Sequence, residues 1–243
     1  MRPADGVAFE SALVTGAGRG YGLELSRHLA ARGARVFGVV RGPDAAAAFV
    51  EATCGRGTAV TADVAADAAV AAIGAALAAR GRPLDLLVNN AGLTATGARV
   101  EDVRLADLDR LLQVHLHGAV RCTQAALPWL RRSRHGTIVN VTSRLGSIAR
   151  VAAGAYDHLG ISYAMRISKA AQNMLTACLH RELGAEGIAV YAVHPGRLRT
   201  RMGSADADVE AGEAAARLLA WLARARRDAL VAYVEPGRDE LPW

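Results

Sequence analysis

Lysine is nearly absent from this chain: one residue, Lys169, stands among 29 basic side chains, and all the others are arginine. Cysteine is scarce too. Cys54, Cys122 and Cys178 are odd in number and far apart, which argues against a disulfide frame or a zinc site and for reduced thiols, with a cytoplasmic location as the expectation. The opening "MRPADGVAFESALVTG" holds no apolar signal core. The Ala-rich run from Ala65 to Arg80 is too short in apolar residues to span a bilayer and reads as a packed helix. Aromatics make up only 5% of the chain and are not interleaved with its scattered arginines. No nucleic-acid motif accompanies the net charge of +6, which reads as a solvated, arginine-rich surface with neither nucleic acid nor membrane as partner. The stretch "RLLAWLARARRD" reads as an amphipathic helix packed on the protein's own sheet.

What is plentiful is apolar: 52% of the 243 residues are hydrophobic, enough for one large α/β core. Short apolar runs alternate with longer amphipathic ones. Strands are expected at Ala12–Thr15, Arg35–Val40, Gly57–Thr61, Leu84–Val88, Thr137–Val141, Ile188–Val193 and Ala229–Tyr233. Helices are expected at Gly22–Arg32, Asp44–Thr53, Ala66–Arg80, Leu105–Arg132, Tyr163–Gly184 and Val209–Arg226, with Gly33, Gly81 and Gly184 as stops. This rhythm predicts a single-domain, Rossmann-type, doubly wound parallel sheet of about seven strands over residues 1–243, covered by helices on both faces, with ligands at the carboxyl ends of the strands.

After the first strand comes "TGAGRGYG", with Gly16, Arg19, Gly20, Tyr21 and Gly22. Glycines there let the backbone approach a pyrophosphate at a helix N-terminus. The second strand ends in "VVRGP". A site for NAD places an acid at this point, on the ribose diol. Arg41 stands there instead, with Arg19 in the glycine loop, and two guanidiniums suit the 2′-phosphate of NADP. The alternative is that both simply face water.

"ADV" (Ala62–Val64), "NNAG" (Asn89–Gly92) and "HPGRLRT" (His194–Thr200) each follow a strand. Together with "TGAGRGYG" they make the chain resemble the short-chain dehydrogenase/reductase family over essentially its full length. "SRLGSIA", "RISKAAQNML", "RTRMG" and the closing "LPW" are most similar to its carbonyl-reductase-like members. The resemblance implies that Asp63 and Val64 flank the adenine, that Asn90, Ala91 and Gly92 line the cofactor cleft, and that Pro195, Gly196, Leu198 and Thr200 hold the nicotinamide end. Asn89 has either a cofactor contact or a strand-tying role. Some relatives dimerise or form tetramers through the two long helices and others are monomers.

The resemblance also implies a catalytic set of asparagine, serine, tyrosine and lysine. Ser143 and Lys169 match. His115 stands at the asparagine position and Met165 at the tyrosine position, and a thioether has no proton to give. Three other residues offer themselves as substitutes: Tyr163, which points elsewhere than Met165 if both are helical; Tyr156; and His158. His115 is a fourth, titrating near neutrality. Alternatively the small-molecule substrate needs no enzyme acid, as with an iminium ion or an activated alkene, and Met165 is a soft apolar wall. In the remaining alternative the scaffold does no redox chemistry and binds a nucleotide or shapes a pocket for cyclisation, dehydration or isomerisation.

Overall fold

The structure, a computed structural model, describes residues 9–200, 207–225, 232–238 and 240–243. Seven parallel strands form one sheet: β1 (Ser11–Thr15), β2 (Arg35–Val40), β3 (Gly57–Thr61), β4 (Leu86–Asn89), β5 (Thr137–Val141), β6 (Ala189–Val193) and, last in the chain, β9 (Tyr233–Val234). Their order is β3-β2-β1-β4-β5-β6-β9. The chain therefore winds outward from β1 in one direction, then returns to β4 and winds in the other. Between β6 and β9, β7 (Leu198–Arg199) and β8 (Val209–Glu210) pair as a separate two-stranded ribbon.

Among the described residues eight α-helices connect these strands: α1 (Gly20–Ala31), α2 (Pro43–Ala52), α3 (Ala68–Arg80), α4 (Leu105–Leu112), α5 (Gly118–Leu130), α6 (Ile148–Ala152), α7 (Tyr163–Leu183) and α8 (Ala211–Leu222). The period-two geometry of a strand sends Ala12 and Val14 to one face of the sheet and Leu13 to the other. The first pair packs with Leu25 and Leu29 of α1 and Leu218 of α8; Leu13 packs with Ile73 of α3 and Leu130 of α5. Both faces are thus buried, which is why the strands read as unbroken apolar runs.

The expected elements return, joined by the unforeseen α6 and β7, with three further differences. The segment foreseen as one helix from Leu105 to Arg132 is interrupted by a π-helical turn, Gln113–His117. The last helix starts at Ala211, because Val209 and Glu210 are taken up by the ribbon with β7. Helix α7 ends where foreseen, but Gly184 keeps a right-handed helical conformation and the left-handed stop falls on Gly187 (φ 80°). The expected strand start at 229–231, the helix end at Arg226 and most of "RTRMG" lie outside the described residues.

Candidate active site

The reversal of winding between β1 and β4 opens a crevice at the carboxyl ends of the strands. A cleft of about 1160 Å³ occupies it. The residues that the sequence assigns to the cofactor and catalytic sets line it: Gly16, Arg19, Gly20, Tyr21, Gly22, Arg41, Asp63, Val64, Asn90, Ala91, Gly92, His115, Ser143, Met165, Lys169, Pro195, Gly196, Leu198 and Thr200.

The glycine loop is shaped by close packing. Gly16 adopts φ 64°, and a Cβ there would sit 2.9 Å from Ala91 Cα. Asn90 fastens the two strand ends: its Nδ2 donates to the Thr15 carbonyl at 2.8 Å and its N–H to Thr15 Oγ1 at 2.9 Å. Helix α1 has no side-chain cap, so its first N–H groups open on the cleft without a protein acceptor. Tyr21 lines the cleft, but its ring packs into the sheet core and its hydroxyl is buried without a partner. Asn89 proves to be a strand tie: its Nδ2 donates to Asn140 Oδ1 at 2.8 Å. Arg19 and Arg41 are both exposed at the β1–β2 end. Asp44, in the first turn of α2, lines the same end and was not singled out from the sequence.

At the β5–β6 end the turn after β5 is clamped to α7. A Cβ on Gly146 would meet the Lys169 carbonyl carbon at 2.7 Å, and Asn173 Nδ2 donates to the Gly146 carbonyl at 3.1 Å. This fixes Ser143, whose Oγ accepts the Leu145 N–H at 3.3 Å and whose carbonyl accepts the Tyr233 hydroxyl. Lys169 reaches back from α7. Its Nζ donates to the Val141 carbonyl and to Gln172 Oε1, each at 2.8 Å. Burial lowers its pKa from 10.5 to about 7. Two of three ammonium protons are committed, and one direction is left.

His115 sits in the π-turn, fully buried. The Leu93 N–H donates to its Nε2 at 3.0 Å, and its Nδ1 lies 2.9 Å from Ser168 Oγ. The Ser168 hydroxyl donates to the Met165 carbonyl at 3.2 Å, so its lone pair receives Nδ1–H, and this network assigns a neutral imidazole. Burial, aided by the charge of Lys169, drives its pKa to about 2. The expectation that His115 titrates near neutrality is therefore corrected: both ring nitrogens are occupied and the ring is a tie between the loop after β4 and α7.

None of the other substitute donors lines the cleft. Helix α7 begins at Tyr163, with Ser162 Oγ accepting the Met165 N–H at 3.2 Å, so Tyr163 and Met165 are both helical and diverge. Tyr156 is buried, its hydroxyl accepting from Arg150 Nη1 at 3.2 Å, and His158 is exposed on the adjoining turn. That segment contributes Leu159 and Ile161 to the wall instead. Sequence reading also missed His194 and Arg144, both lining the cleft. His194 is buried, its two ring nitrogens lack hydrogen bonds, and burial lowers its pKa to about 3, with Arg144, Arg238, Arg150 and Lys169 adding to the effect.

Among the described residues, no helix is long and apolar enough to cross a membrane, and no cluster of side chains could hold a metal ion. A curated relative, a rhamnolipid-biosynthesis 3-oxoacyl-[acyl-carrier-protein] reductase of Pseudomonas aeruginosa, is 34% identical over 204 residues, covering 83% of this chain and 78% of its own. The C-signal protein of Myxococcus xanthus is 33% identical over 161 residues, 66% of this chain and 93% of its own. Among solved structures, the NADPH-bound carbonyl reductase from chicken fatty liver superposes with a TM-score of 0.90 at 28% identity, over 98% of this chain and 100% of that one. The short chain dehydrogenase family profile matches residues 10–211. This chain belongs to the short-chain dehydrogenase family.

Proposed function

We propose that the protein is an NADP-dependent oxidoreductase, working as a single domain, on a small organic substrate that is a carbonyl, an imine or a conjugated alkene. The observation that carries this reading is the convergence of the whole cofactor pattern, with Ser143 and Lys169, on one cleft at the strand ends. The NADPH-bound carbonyl reductase and the 3-oxoacyl reductase among its relatives support the same reading. The cleft also fits a dinucleotide on its own terms: uncapped N–H groups at α1 suit a pyrophosphate, and two exposed arginines, Arg19 in the glycine loop and Arg41 after β2, suit a 2′-phosphate.

In this reading Arg19 and Arg41 hold the adenosine end and Asp63 and Val64 flank the base. Asn90, Ala91 and Gly92 form the floor. Pro195, Gly196, Leu198 and Thr200 form the wall of the nicotinamide end, and the remaining N–H of Lys169 holds the ribose. The nicotinamide, when bound, supplies or accepts the hydride. Ser143 Oγ donates a hydrogen bond to the substrate heteroatom, as its single acceptance from Leu145 allows. Met165 offers a polarisable apolar surface where a proton donor stands in relatives of the usual pattern. With Tyr156, Tyr163 and His158 off the cleft and His115 locked neutral, the proton comes from solvent, or the substrate arrives already protonated.

That same lack of a replacement acid favours a second reading, a non-redox enzyme or nucleotide-binding protein on this fold. The test is a NADPH titration followed by incubation with a panel of ketones, aldehydes, imines and enones, monitored by loss of nicotinamide absorbance. Turnover of any panel member supports the oxidoreductase. Tight NADPH binding with no turnover by any class favours the second reading.

A further inference from the structure

The substrate end of the cleft carries a cation that no acid among the described residues neutralises. Arg144 follows Ser143 directly, lines the cleft and is half-buried. Its guanidinium lies over the Tyr156 ring, 5.3 Å from the centroid. Among the described residues no carboxylate pairs with it. Two other cleft-lining arginines differ: Arg197 faces Asp208 at 3.8 Å and Arg199 faces Glu210 at 2.9 Å. Stacking on an aromatic face holds a guanidinium in one plane and leaves its edge N–H groups available, the geometry that matches a planar or tetrahedral anion.

The surroundings reinforce the sign of the charge. Arg150, at the Tyr156 hydroxyl, is a further cation at this end, and Lys169 is another when protonated. Glu235, 4.0 Å from His194 Nε2, also lies 3.3 Å from Arg238 and is already paired with it. The acids that line the cleft, Asp44 and Asp63, follow β2 and β3, at the opposite end of the sheet from β5 and β6. A half-buried, unpaired guanidinium is costly to keep desolvated, and an incoming anion relieves that cost.

We infer that the substrate bears a small anionic group, a carboxylate or a phosphate, which Arg144 grips beside Ser143. This deepens the oxidoreductase reading and rests on it for the word substrate. The anion sets which carbon faces the hydride, and Arg144 is therefore a specificity-determining residue.

The experiment is isothermal titration of the NADP-saturated protein with benzoate, phenyl phosphate and benzamide. At least one anion should bind tenfold or more tightly than the neutral amide, and the preferred one distinguishes carboxylate from phosphate. Arg144→Gln should abolish that margin while leaving NADPH affinity within twofold of the parent, and Arg144→Lys should keep part of it. Equal binding of all three probes, or anion binding unchanged in Arg144→Gln, overturns the inference. If the parent does not bind NADPH, the proposed function falls separately. The same comparison of parent and Arg144→Gln without nucleotide still decides the role of Arg144, because Arg19 and Arg41 are common to both.

Discussion

Replacing Lys169 by methionine should remove a pH dependence of stability that can be assigned to one atom. In the folded protein without cofactor, burial lowers the Lys169 pKa from 10.5 to about 7. Between those values the unfolded chain binds a proton that the folded one does not. Stability therefore rises with pH across that window, by up to about 1.4 kcal/mol per pH unit, and the contribution is lost as pH falls toward 7. From pH 7 to 8.5 the gain is up to about 2 kcal/mol. The interval from pH 7 to 8.5 lies below the window of the buried Cys122 thiol, which burial pushes up to about 12 and which acts with the opposite sign above about pH 9. Lys169→Met strips the donor from the Val141 carbonyl and Gln172 Oε1, a loss of about 1–3 kcal/mol at every pH, but it flattens the slope. Urea denaturation of parent and variant at pH 7, 7.75 and 8.5 measures the difference. Because the chain has one lysine, labelling with isotopic lysine gives one side-chain resonance to titrate directly. A midpoint above pH 9.5, or parallel slopes in the two proteins, would refute the reasoning.

The other predictions address the two ends of the cleft and its buried rings. NADPH should bind about tenfold or more tightly than NADH, and Arg41→Asp should reverse the preference; equal affinities of the parent by fluorescence titration defeat the idea. Met165→Tyr should leave the rate with the best panel substrate unchanged or lower, since the new hydroxyl enters a wall that offers it no established partner; a tenfold gain in kcat would mean the missing acid is a defect. His194, held near pKa 3, is neutral when folded and protonates near 6.5 when unfolded. Stability present above pH 6.5 is thus lost as pH falls, by up to about 1.4 kcal/mol per unit, and His194→Leu should blunt that loss between pH 6.5 and 5 without destabilising the protein at pH 7. A urea midpoint for the variant that falls as steeply as the parent's would count against it.

The fold was legible because its signals are local. Strands buried on both faces show as short apolar runs, and the glycine turn, "NNAG" and "HPG" each follow one. The π-turn was not legible: "LLQVHLHG" keeps a helical pattern throughout, and the extra residue per turn registers only in the backbone around His115. The protonation of His115 was hidden for a related reason. The residues that close its two nitrogens, Leu93 and Ser168, are 22 and 53 positions away. Arg144 is one arginine among 28 in the sequence, and only its place in the cleft, over the Tyr156 ring, distinguishes it. The divergence of Tyr163 from Met165 was foreseeable once the helix start was known, and that start rests on the Ser162 cap.

Burial of the only lysine in the middle of α7 gives this protein an unusual proteolytic signature. A lysine-specific protease has one bond to cut, after Lys169, and in the folded state that bond lies inside a helix clamped to the Arg144–Gly146 turn. Cleavage then requires α7 to open, and it yields two fragments, 1–169 and 170–243. The rate at which those fragments accumulate reports the opening of α7 itself, separately from fraying elsewhere in the chain. Any ligand that fills the cleft against α7 should slow that clock.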